Sequence, residues 1–130
     1  MKAKQILSAT ALVCACYFFM SQSAMAFPPQ EPLVRLAELD IDPAQLDAYK
    51  AALKEEIATS IRLEPGVLRL YAVSIKDHPN QIRLFEMYRD QTSYQAHLSS
   101  PHFKRYKLAT QHMVKSLTLI ETEPVLLGSR

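Results

Sequence analysis

From residue 33 onward, apolar positions recur at steps of two, then of three and four, then of two again. Residues 33–41 predict a strand. Val34, Leu36 and Glu38 face one way, and Leu33, Arg35, Ala37 and Leu39 the other, so apolar residues lie on both faces. Asp42-Pro43-Ala44-Gln45 predicts a helix start, with Asp42 as cap, proline at the first helical position and Gln45 placed to reach back. Leu46, Tyr49, Leu53, Ile57 and Ile61 then form one apolar stripe, and Glu64-Pro65-Gly66 stops it. Residues 67–76 alternate as a strand, 77–81 have turn composition, and 82–89 alternate again. Ile82, Leu84, Glu86 and Tyr88 share one face of that last strand.

Asp90 or Thr92 can cap a short helix through Leu98. Ser100-Pro101 starts another, with Phe103, Tyr106, Thr110, Met113 and Leu117 as its stripe. Residues 116–127 predict a final strand, in which Pro124 implies an edge or a bend. The order strand, helix, strand, strand, helix, strand predicts an α+β, ferredoxin-like βαββαβ sandwich. Helices would cover one face of its sheet, and a second copy of the chain is the simplest cover for the other.

The first 26 residues change the picture. Lys2 and Lys4 precede an apolar run of about 15 residues, and Ala24-Met25-Ala26 follows. That is the layout of a cleaved secretory signal peptide, and it is shorter than the roughly 20 residues that span a bilayer. Residues 27–32 would be an extended leader and 33–127 the domain. Both cysteines, Cys14 and Cys16, precede the cut, so the mature chain would have neither disulfide nor thiolate. The expected location is periplasmic or secreted, with no stable membrane association after cleavage. Without Lys2 and Lys4 the chain carries 13 basic and 13 acidic side chains, which argues against a nucleic-acid partner.

The candidate chemistry lies between Phe85 and Tyr106. Glu86 is a carboxylate on an apolar strand face, where desolvation raises a pKa toward that of a general base. His97 and His102 are further catalytic candidates, and a carboxylate such as Glu86 could orient His97. Tyr71, Tyr88, Phe103 and Tyr106, with Tyr94, are candidates to line a substrate pocket. Each has a structural alternative, as a packed aromatic or a buried histidine bonded for stability. No metal site stands out, because His97 and His102 are not at the helical i, i+4 step. With Gly66 and Gly128 the only glycines, no glycine-rich phosphate loop can form.

Glu64-Pro65-Gly66, Phe85-Glu86-Met87-Tyr88, His97 and Ser100-Pro101-His102-Phe103 together resemble the antibiotic biosynthesis monooxygenase (ABM) domain family. The resemblance implies subunits that dimerise through their sheets into an α/β barrel. It also implies a pocket between sheet and helices, with Glu86, Tyr88, His97 and His102 at or near it. Members of the family include cofactor-free oxygenases of quinols and anthrones, haem-degrading enzymes and an isomerase of a phosphorylated autoinducer. This chain departs from the haem-degrading members: it has no tryptophan, with Tyr88 in place of theirs, and Lys107 near their haem-ligating histidine. The expectation is a small homodimeric monooxygenase without a cofactor, acting with dioxygen on a quinol-like or other electron-rich aromatic compound. The alternative is a non-catalytic periplasmic binding module for a hydrophobic small molecule such as haem.

Overall fold

The computed structural model describes residues 31–128; the expected signal peptide and most of the leader lie outside them. Strand β1 spans Leu33–Ile41, and a 3₁₀ turn (Pro43–Gln45) leads into helix α1, Leu46–Leu63. Strands β2 (Val67–Ile75) and β3 (His78–Tyr88) follow as a hairpin, then helices α2 (Gln91–Ser99) and α3 (Pro101–Thr110), and last strand β4 (Val114–Glu121). All pairings are antiparallel, in the order β2-β3-β1-β4. This is the α+β ferredoxin-like arrangement; within the one chain the sheet is open.

Local signals account for the element starts. Asp42 accepts from the Ala44 N–H, and Asp90 accepts from the Ser93 N–H at 2.6 Å. Ser100 accepts from the Phe103 N–H, so the residue that ends α2 also caps α3. Several bounds differ from the sequence reading, three of them by more than two residues. Only Lys76 and Asp77 form the β2–β3 turn, with Asp77 at φ 68°, a left-handed conformation that aspartate tolerates. The expected turn at 77–81 is therefore mostly strand. Helix α3 ends at Thr110, which leaves Leu117 on β4. Strand β4 ends at Glu121, before Pro124.

Cross-strand register sorts the faces. Arg35 lies opposite Glu86, Ala37 opposite Leu84 and Leu39 opposite Ile82, all toward the helices. Ala37, Leu39, Ile41 and Ile82 are buried there with Tyr49 and Leu53 of α1. The buried face of α1 runs Tyr49, Leu53, Glu56, Ser60, so its last turns present polar groups inward, while Ile61 is 48% exposed. The other sheet face exposes Tyr71, Val73 and Phe85. Among the described residues, no helix is long and apolar enough to cross a membrane.

Candidate active site

A cavity of about 480 Å³ separates the helix-facing side of the sheet from α2 and α3. Glu86, Tyr88, Tyr94, His97, Phe103 and Tyr106 line it, with Leu84 and Leu119 on its sheet side. Glu86 reaches it because the alternation of β3 puts residues 82, 84, 86 and 88 on one face. Burial pushes the Glu86 carboxyl above the ordinary carboxylate range, against the hydrogen bond that Tyr88 donates at 3.1 Å and the attraction of His97 and Arg35. Burial also raises the phenols of Tyr49, Tyr88 and Tyr106, which therefore stay protonated. The Tyr49 and Tyr106 hydroxyls are 2.7 Å apart.

His97 enters from the last turns of α2, its ring between Phe103 (centroids 4.6 Å) and Tyr88 (5.4 Å). Its partner is not Glu86 but Glu64, at the C-cap of α1. Glu64 Oε1 lies 2.9 Å from His97 Nδ1 and 2.7 Å from His102 Nε2. The loop holding Glu64 is pressed onto α2: a Cβ on Gly66 would collide with the Ser93 side chain, and the Arg89 N–H donates to the Gly66 carbonyl at 2.8 Å. Burial alone would raise the Glu64 pKa. Hydrogen bonds from the two histidines outweigh it and hold the carboxyl below its ordinary range.

An ionised carboxylate only accepts hydrogen bonds. The proton of neutral His97 is therefore on Nδ1, and Nε2 carries the lone pair. Among the described residues, Nε2 has no hydrogen-bond partner. An imidazole oriented by a carboxylate, with its other nitrogen unbonded among the described residues and its ring lining a tyrosine-walled cavity, is equipped to take and return a proton.

The candidates divide. Glu86, His97, Tyr88, Phe103 and Tyr106 meet at the cavity. His102 does not line it; it sits behind His97, ring centroids 6.5 Å apart, on the far side of Glu64. Tyr71 does not reach it either: register pairs it with Phe85 on the opposite sheet face, where it is 60% exposed. The sequence reading gave Glu64 no chemical role: its place before Pro65-Gly66 registers as a helix stop and as part of the family resemblance. It also found no metal site, since it tested the two histidines only against the i, i+4 spacing of a helical pair and had no partner from elsewhere in the chain. They stand on two helices, and α1 with its C-cap adds Glu56 and Glu64, giving four ligand atoms within 4.8 Å of one another.

A family model for antibiotic biosynthesis monooxygenases matches residues 32–108. The chain is 47% identical to a Bacteroides thetaiotaomicron protein of known structure named for that family. The match covers 79% of this chain and 98% of that one, with a TM-score of 0.75. A Lactobacillus acidophilus structure named as a monooxygenase is 31% identical over 68% of this chain and 42% of its own, with a TM-score of 0.67. A Pseudomonas aeruginosa structure shares the fold at 19% identity, covering 77% of this chain and 100% of its own, with a TM-score of 0.71. No curated protein matches the chain. By the span of the family match and its identity to the Bacteroides protein, the chain belongs to the antibiotic biosynthesis monooxygenase family.

Proposed function

We propose that the protein is a cofactor-independent monooxygenase of quinol-like, electron-rich aromatic compounds, with His97 as the base. The observation that carries this reading is the Glu64–His97 hydrogen bond at 2.9 Å, beside a cavity that His97 shares with Glu86. His97 Nε2 takes a phenolic proton. The phenolate passes one electron to dioxygen, and the radical pair joins to form a C–O bond. The O–O bond then breaks: one oxygen stays on the ring, and the other leaves as water with hydrogens supplied by the substrate. His97 returns its proton in that step. Glu86 and the Tyr88 hydroxyl are placed to hold the second substrate hydroxyl, and the rings of Tyr94, Phe103 and Tyr106 to flank the aromatic plane.

The reading includes a homodimer joined through the sheet face of Tyr71, Val73 and Phe85, supported by the exposure of these apolar side chains. It also includes export, supported by the layout of residues 1–26. Oxygen uptake by the mature protein with a naphthohydroquinone tests the activity. Uptake above the uncatalysed rate, lost in His97→Ala, is expected. Uptake unchanged in a folded His97→Ala variant would overturn the reading, and tight binding without uptake would make the cavity a binding site only.

A further inference from the structure

Behind the cavity, Glu56, Glu64, His97 and His102 converge from α1, its C-cap, α2 and α3. Glu56 is 6% and His102 9% exposed. Buried carboxylates are costly unless compensated. Here the compensation is thin: the ion-pair partners of Glu56 and Glu64 among the described residues are histidines alone, with His102 Nε2 3.9 Å from Glu56. Neither carboxylate has a lysine or arginine as an ion-pair partner among the described residues.

We infer that this cluster is a binding site for a first-row divalent transition cation of the zinc class. Two imidazole nitrogens and two carboxylate oxygens are the donor set such ions take. At zinc–ligand distances of about 2.0–2.2 Å, tetrahedral ligands lie roughly 3.3–3.5 Å apart. The recorded separations, 2.7, 2.9 and 3.9 Å for three of the pairs and within 4.8 Å for all of them, span that value, so side-chain shifts would open the centre. The outer support is present, since the Ser60 hydroxyl donates to Glu56 Oε1 at 2.9 Å. A path in is present too: a surface cleft of about 480 Å³ is lined by Glu64, Gly66, Ser93, Ser100 and His102.

Binding has a consequence for His97. A cation on Nδ1 moves the ring proton to Nε2, which turns the cavity-side nitrogen from acceptor to donor. The metal-loaded protein has no free base at His97, so the cation acts as an inhibitor of the proposed chemistry. Metal binding itself does not depend on that chemistry being right.

The test titrates chelator-stripped protein with Co²⁺ and follows visible absorption. One four-coordinate Co²⁺ per chain, displaced by Zn²⁺, is expected. Losing a partner of a ligand already costs about 10–100-fold in affinity, so losing a ligand in Glu56→Gln or His102→Asn is expected to cost at least ~100-fold. Imidazole ¹⁵N shifts should show the His97 proton on Nε2 only in the loaded protein. Absence of stoichiometric binding, or binding that survives both substitutions, would overturn the inference. Inhibition of oxygen uptake by Zn²⁺ in the wild type and not in Glu56→Gln reads the consequence separately.

Discussion

Glu64 holds the Nδ1 side of His97 at 2.9 Å across 33 positions of sequence. The same oxygen holds His102 at 2.7 Å, so one carboxylate at the end of α1 clamps two helices. That relationship fixes which nitrogen of His97 is left for the cavity. Glu86, conspicuous in the sequence as a lone charge on an apolar strand face, lines the cavity and is bonded by Tyr88.

Glu64→Gln keeps the size of the side chain and removes its charge. If Glu64 positions the base, oxygen uptake should fall about 10²-fold in kcat, with KM little changed. A rise in KM alone would mean that Glu64 shapes the cavity and leaves the base alone.

The two acids should titrate in opposite senses. Glu64 has a folded pKa below its unfolded value of about 4.3, so its stabilisation is present above that pH and is lost as pH falls. Glu86 has a folded pKa above it, so the folded state keeps that proton longer and stability falls as pH rises through the folded pKa. In urea unfolding between about pH 3 and pH 8, Glu64→Gln should flatten the acid limb and Glu86→Gln the decline above it. Identical pH profiles for wild type and variants would contradict both assignments.

Gly66→Ala places a methyl group against the Ser93 side chain. Overpacking of this kind costs about 1–3 kcal/mol, and here it pushes the Glu64 loop off α2. Denaturant unfolding should show that loss, and Ser93→Gly in the same chain should restore part of it. A Gly66→Ala protein as stable as wild type would show that the loop yields freely.

Phe85→Asp puts a charge on the exposed sheet face, away from the cavity. Light scattering should find a dimer in the wild type and a monomer in the variant. A wild-type monomer, or a dimer that survives the substitution, would remove that face from the proposed assembly.

The elements were legible where a local signal sufficed. Asp42-Pro43, Asp90 and Ser100-Pro101 mark helix starts by hydrogen bonds within a few residues. Ends were harder. The stripe Thr110, Met113, Leu117 keeps a helical step across the junction, yet Val114 onward pairs with β1. The composition of residues 77–81 says turn, but a left-handed Asp77 lets two residues close the hairpin. The resulting register places Tyr71 outside and Glu86 inside. Glu56 and Ser60 fall outside the apolar stripe of α1, yet both are buried in the fold. The Glu64 clamp joins residues more than 30 positions apart, and no periodicity within one element can show it.

The most direct test of the account is the tautomer of His97, read from imidazole ¹⁵N shifts in metal-free protein at neutral pH. The account predicts a protonated Nδ1 and an unprotonated Nε2, with Glu64→Gln weakening that preference. A ring protonated on Nε2 in the metal-free wild type would contradict it, because the cavity would then meet a donor in place of a base.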